Sequence, residues 1–335
     1  MVTVVDVAQH AGVSSATVSR VLSGRDPVAL ETRTRVLQAI EHLGYRPNYM
    51  AQSLRLGRGR SVALLTGDIE QGIYSALTKH IQAALEAIGR DLLLFNLSHR
   101  EDRLRHLLQH ATSLGLRGIL IAAPHVIAIR RLRPHITALA EQGIPIISVG
   151  QRLERHGIAS VVPDDADSAA AAVRHLLDRG RSPVAFLGRI KDSAIGRERY
   201  RGYRRALAER QVEATADLVW EAGERYRSDA GYASTAAALA RGIKARGVLA
   251  ASDELALGGM AAAADHGLKV PDDIAFVGFG GLPWTQHVRP ALSTVSLDLP
   301  AIGAEVASMF QSLDQGGSLA PLTMIASRFT VRQSG

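Results

Sequence analysis

From Ser61 onward the chain keeps one rhythm: a short run of aliphatic and β-branched residues, then a helical pattern. The runs are "SVALLTG", "DLLLFNL", "RGILIAA" and "IPIISVG", then "SPVAFLG", "RGVLAAS" and "IAFVGFG". They are continuous rather than alternating, as strands buried on both faces must be. Strands separated by helices pair in parallel through crossovers, so the rhythm predicts βα units. The series restarts near residue 160, in "GIASVVPDDADSAAAAVRHLLDRG", which predicts two Rossmann-like lobes of similar size. Near the end, "LSTVSLDLPAIGAEVASMF" and "LTMIASRFTVR" give a further strand–helix–strand that crosses between the lobes and completes both. On this reading the N-lobe takes residues 61–160 and 293–320, and the C-lobe takes 161–292 and 321–335.

A chain of 335 residues is too long for a single core. Hydrophobic residues make up 47% but aromatics only 4%, so Ala, Val, Leu and Ile must build the cores. No apolar run approaches the roughly 18 residues of a membrane span. The first residues lack the basic and apolar regions of a signal peptide. Cysteine is absent, which removes disulfides and thiolate metal sites and fits a reducing, cytoplasmic setting. The net charge is +7, and residues 1–60 carry eight Lys/Arg against four Asp/Glu. A basic head suits a polyanion, although solubilising charge alone would look much the same.

Residues 1–46 read as three short helices, and residues 47–60 as a basic, glycine-bearing linker. Thr3 and Asp6 have capping-box spacing, after which Val4, Val7, Ala8 and Ala11 share one face. Gly12 suits the left-handed turn that ends a helix, and Ser14 suits the next N-cap. Val18, Val21 and Leu22 then form a second apolar stripe, stopped by Gly24. Two short helices around a glycine turn make a helix-turn-helix. The outer face of the second helix is sparse: Ser14, Ser15, Ala16, Thr17 and Ser19, with Arg20. A helix entering a major groove about 12 Å wide has little room for bulk. Hydroxyls there bond phosphates or base edges, a methyl meets thymine, and arginine pairs with guanine. The bland reading is a helical hairpin with a polar outer face. The caps, the turn glycine and the small face together favour DNA.

The segment "TVVDVAQHAGVSSATVSRVLSG" resembles the headpiece of the lactose/galactose repressor (LacI/GalR) family, and "VLQAIEHLGYRPNYMAQSLR" extends the likeness through a third helix into a hinge. The two-lobe pattern then carries the resemblance end to end. It implies an all-α helix-turn-helix headpiece joined to a periplasmic-binding-protein-like α/β core. It implies a homodimeric repressor, cytoplasmic and nucleoid-associated, reading a pseudo-palindromic DNA operator. DNA contacts then fall to Thr3, the residues of the second helix, and Asn48, Tyr49, Leu54 and Arg55. In "RPNYMAQSLRLGRGR", Pro47 opens a hinge helix too short to stand alone. In the family two such helices meet in the minor groove and each drives a leucine between base pairs, a position that Leu54 takes.

The resemblance also places a small-molecule effector (a sugar, a sugar derivative or another metabolite) between the lobes, where open α/β sheets hold ligands. The positions carried over are Asp68, Tyr74, Gly150, Asp164, Arg199, Tyr226, Ser252 and Gly280. Arg199, in "IGRERYRGYRRAL", would grip ligand hydroxyls or carboxylate, and Tyr226 would stack on the ligand. Taken without the family, Arg199 reads as one arginine of a solvated helix face. Gly280 and Gly150 stand where many sugar-binding members carry acids, and Ser252 replaces an asparagine. These losses imply an effector other than a plain hexose: bulkier, or anionic and held by Arg199. They also leave open that the cleft has lost ligand control. Ala29 stands where the family usually caps its third helix with serine.

Other constellations carry less. The acids of "DDAD" (Asp164, Asp165 and Asp167) are more simply helix caps than a metal site, and "GFGG" lacks the spacing of a phosphate loop. No cofactor signature and no Ser/His/Asp set stands out. A transport solute-binding protein shares the two-lobe fold but would need a signal peptide and no helix-turn-helix. An enzyme on this sheet would need a phosphate loop or catalytic set.

Overall fold

A computed structural model of the chain describes residues 2–23, 28–45, 60–223 and 226–335. The chain divides into two compact units, residues 1–59 and residues 60–335.

The first unit holds helices α1 (Val4–Ala11), α2 (Ser15–Ser23) and α3 (Leu30–His42). The capping box forms: the Asp6 amide donates to Thr3 Oγ1 at 3.3 Å, and the Thr3 amide donates to the Asp6 carboxylate at 2.7 Å. Gly12 ends α1 at φ 64°, and its N–H turns back to the carbonyls of Ala8 and Gln9. Ser14 caps α2 by accepting the Thr17 amide at 3.2 Å. Val7, Val18 and Val36 are fully buried and meet with Ala8, Ala11, Val21 and Ala39 in a small core. Ala29 precedes α3 with no side-chain cap. Gly24 and the hinge residues Pro47, Asn48, Tyr49, Leu54 and Arg55 lie outside the described residues.

The second unit begins with β1 (Ser61–Thr66), α4 (Gly72–Ala87), β2 (Asp91–Asn96), α5 (Glu101–His110), β3 (Leu116–Ala122), α6 (Ile129–Glu141), β4 (Ile146–Val149) and β5 (Ala159–Pro163). It continues with α7 (Asp165–Asp178), β6 (Val184–Gly188), α8 (Ala194–Glu209), β7 (Val219–Glu221), α9 (Ser228–Ala240), β8 (Gly247–Ala250), α10 (Asp253–Asp265) and β9 (Ala275–Gly280). β10 (Ser293–Ser296), α11 (Leu299–Asp314), β11 (Leu322–Ile325) and β12 (Arg328–Thr330) follow. Two six-stranded sheets result, ordered β11-β5-β4-β3-β1-β2 and β12-β10-β9-β8-β6-β7. Every pairing is parallel except β12 on β10. The continuous apolar runs reflect burial on both faces, except in β2, where Leu93 and Leu94 are exposed. Along β1, Ala63 and Leu65 pack with Leu104, Leu108 and Leu132 on one side. Val62 and Leu64 pack with Ile81, Val306 and Phe310 on the other.

The lobe boundaries need three corrections. β5 lies inside the first sheet, between β11 and β4, instead of opening the second, and the chain crosses where α7 begins, with Ala169, Val173 and Leu176 already in the second core. Residues 293–296, expected in the N-lobe, pair with β9 in the second sheet. Residues 322–325, expected in the C-lobe, pair with β5 in the first. Short buried strands all look alike in sequence, so hydrophobicity marks a strand without naming its sheet. The partner decides that, and the partner is distant in the chain.

Candidate functional site

The headpiece presents a small polar surface. Ser14, Ser15, Ala16 and Arg20 are exposed, while Thr17 and Ser19 are half-buried. Val18 and Val21 turn the opposite side of α2 into the core. Ser14 Oγ and Thr17 Oγ1 share a hydrogen bond of 3.0 Å. Thr3 is exposed, but its hydroxyl donates to Asp6 at 2.8 Å, so the cap occupies its proton. The Thr3 N–H in turn holds the Asp6 carboxyl below the usual carboxylate range.

In the core, strand ends from both sheets converge on a cavity of about 90 Å³. Val149 and Gly150 reach it from β4, Pro163 from β5, and Phe279 and Gly280 from β9. The lobes touch around it. Pro124 O accepts the Ala194 amide at 2.8 Å and the Ser193 hydroxyl at 3.2 Å, and Asp192 O accepts the Val126 amide at 3.0 Å. Across the opening, the Gly72 amide donates to Glu254 Oε1 at 2.8 Å, and Arg227 pairs with Glu70. His125, on this seam, is held down to about 4 by burial, with the neighbouring His99 and Arg189 adding to the effect.

Arg199 lies deep in the second lobe, 8% exposed. Its Nε donates to Asp165 at 2.9 Å, its Nη1 donates to Ala251 O at 2.5 Å, and its guanidinium stacks 3.8 Å from the Phe279 ring centre. This is no solvated helix face, unlike the neighbouring Arg205, which pairs with Asp167 at the surface. Nor is it a free cation awaiting an anion, because Asp165 already matches its charge. Burial nonetheless pushes the Asp165 carboxyl up, against the pull of Arg199. Burial also raises Asp253 and Glu254, and the hydroxyls of Tyr74 and Tyr226.

Six of the eight expected effector residues line this cavity: Tyr74, Gly150, Arg199, Tyr226, Ser252 and Gly280. Two do not. Asp68 turns to its own loop, accepting the Glu70 amide at 3.2 Å. Asp164 accepts the Ser168 hydroxyl and the Ser327 amide, each at 2.9 Å, and so pins the β11–β12 connection to the start of α7. Gln71, Asp253, Glu254 and Phe279 line the cavity without having been singled out, and Asp165 lines it although the sequence reads it as a helix-start acid. For the acids a signal was available, because Asp165 and Asp253 open helices that follow strand ends, one residue beyond Asp164 and Ser252, and Glu254 comes next.

Comparison with known proteins gives the same picture. Residues 3–48 match the family described as "Bacterial regulatory proteins, lacI family", and residues 173–334 match "Periplasmic binding protein-like domain". The HTH-type transcriptional regulator AscG of Escherichia coli is 32% identical over 336 residues, covering 100% of this chain and 98% of that protein. The chain belongs to the LacI family. It is a DNA-binding transcriptional regulator. Catabolite control protein A of Priestia megaterium is 31% identical over 304 residues, covering 90% of each chain. The crystal structure of the Lac repressor dimer bound to operator and the anti-inducer ONPF shares the fold, with a TM-score of 0.86 at 24% identity over 99% and 98% of the two chains. A transcriptional regulator CelR–cellobiose complex superposes with a TM-score of 0.72 at 27% identity over the full length of both.

Within this LacI-family chain the glycine at 280 has a local cause. Its φ is 139°, and a Cβ there would stand 3.1 Å from Asp253 Oδ2. A carboxylate on that Cβ would face the buried Asp253 carboxylate, so the wall is left to backbone. Ser252 caps α10, accepting the Leu255 amide at 3.1 Å. Tyr226 donates its hydroxyl to Ser193 Oγ at 2.7 Å, which fixes its ring against the seam.

Proposed function

We propose that the chain is a repressor acting as a homodimer on a pseudo-palindromic operator, its DNA affinity set by a small molecule in the interlobe cleft. The observation that carries this reading is the pairing, in one chain, of an exposed small-residue helix, Ser14 to Arg20, with a two-lobed core that encloses a cavity. The operator would be read by Ser14, Ser15, Ala16, Thr17, Ser19 and Arg20, with Thr3 fixing the start of α1. Asn48, Tyr49, Leu54 and Arg55 would extend the contact into the minor groove through paired hinge helices. A two-fold dimer reads two related half-sites, hence the palindrome. The effector would bear on Tyr74, Arg199, Tyr226 and Ser252 across the closed lobes. A ligand shifts DNA affinity only by binding one arrangement of the lobes better than the other. CelR is solved with cellobiose and the Lac repressor with operator, which supports both halves of this assignment.

No catalytic role is proposed, since the relatives are regulators. A DNA-binding regulator works in the cytoplasm, and no described helix is long and apolar enough to cross a membrane. The test is selection of duplexes from a random library by the purified full chain. Recovery of a symmetric sequence is expected. Binding of all sequences with equal affinity at fixed salt would overturn the reading.

A further inference from the structure

The polar atoms around the cavity are unevenly committed. Asp253 accepts the Thr294 hydroxyl at 2.5 Å and the Leu282 amide at 2.8 Å. Glu254 Oε1 takes the Gly72 amide, Ser252 caps α10, and Arg199 serves Asp165 and Ala251. Gln71 is different. It is 4% exposed, it lines the cavity, and its Nε2 is buried with no hydrogen-bond partner among the described residues. A buried amide donor without a partner is costly, and a ligand acceptor would satisfy it.

Charge narrows the ligand further. Among the described residues, three carboxylates, of Asp165, Asp253 and Glu254, face this cavity against the one guanidinium of Arg199. An anion would add a further negative charge to a site where burial already disfavours the existing ones. The opposite wall is hydrocarbon: Ile73 and Leu77 from α4, Val149 from β4, and Leu297, Leu299 and Ile302 around the start of α11. A hexose would press hydroxyls against that wall, stripped of water and without partners. The free volume of about 90 Å³ compares with roughly 10–15 Å³ for one enclosed water, which leaves room for a six-membered ring.

We propose that the effector is uncharged, with an apolar ring face and an acceptor oxygen, a cyclic ketone or lactone in chemical class. Its oxygen receives the Gln71 Nε2 proton, and its ring lies on the wall of Ile73, Leu77 and Ile302. The inference rests on the regulator reading for its biological meaning but can fail separately from it. The experiment uses three probes built on one ring: cyclohexanone, cyclohexanecarboxylate and myo-inositol. Each is titrated into the full chain at millimolar concentration, with Tm as the readout. Cyclohexanone is expected to raise Tm, and the other two to leave it unchanged. Gln71→Leu, which keeps bulk without a donor, should weaken cyclohexanone binding by about tenfold, the worth of one hydrogen bond. Gln71→Met, of similar length and lacking any donor, serves the same purpose if the leucine variant fails to fold. Silence from cyclohexanone, larger shifts with either other probe, or unchanged affinity in the Gln71 variants would overturn the proposal. Operator selection by the ligand-free chain is scored independently. Failure there removes the regulator reading, whereas operator recovery with silent cyclohexanone removes only the ligand class.

Discussion

Arg199 and Asp165 are 8% and 4% exposed and are joined by a 2.9 Å ion pair. Such a pair adds little net stability, yet removing one partner strands a buried charge. Asp165→Asn is therefore expected to destabilise the core by about 3–5 kcal/mol, read from urea unfolding of the full chain. An effect below about 1 kcal/mol would show that Arg199 finds another acceptor. His125 supplies a pH-dependent counterpart. Its folded pKa is lowered from 6.5 to about 4, so between those values the unfolded chain binds the proton and the folded chain resists it. Stability from this group is fully present above pH 6.5 and is lost as pH falls toward 4. Asp253 and Glu254 run the other way. Their raised carboxyls contribute most at low pH and lose that contribution as pH rises through the folded values. His125→Gln should remove the histidine part alone. The stability of the variant relative to the parent is then expected to improve steadily on acidification below pH 6.5, measured by denaturation at stepped pH.

At the scale of elements, α3 begins at Leu30 behind Ala29, whose side chain makes no cap hydrogen bond. Ala29→Ser should stabilise the headpiece by about 1 kcal/mol, visible as slower amide exchange along α3. The same uncapped start was readable in the sequence, because capping depends on residues within one turn. So were α1, α2 and the strands of "SVALLTG" through "IAFVGFG", whose hydrophobic runs are local signals. β7 was missed, since the three residues Val219–Glu221 carry too little pattern. The sheet membership of β10 and β11 was misjudged for a different reason. Ser293–Ser296 and Leu322–Ile325 are equally strand-like, and only pairing with β9 or β5 tells them apart. At the site, the positions at strand ends were legible and their partners were not. Arg199 was found, but nothing local in "IGRERYRGYRRAL" says that Asp165, far back in the chain, neutralises it.

For the whole molecule, the headpiece supplies address and the core supplies control, so changes in one should leave the other's intrinsic behaviour intact. Arg20 is exposed on α2 while the core of the headpiece lies on the other side. Arg20→Ala should cost about 1–3 kcal/mol of operator binding and relax preference at one position in each half-site, with cavity ligands bound as before. A uniform loss across all duplexes would make Arg20 a phosphate contact instead. The order of the sheets has a consequence for synthesis. β11 edges the first sheet beside β5, and β12 edges the second beside β10. Both are made after the strands they pair with. Neither lobe can complete its sheet until residues 322–330 have been made, and β5 must wait until then with one edge unpaired. A stop codon just before Pro321 would take a strand from each sheet at once, so a late truncation should deplete the protein as thoroughly as an early one.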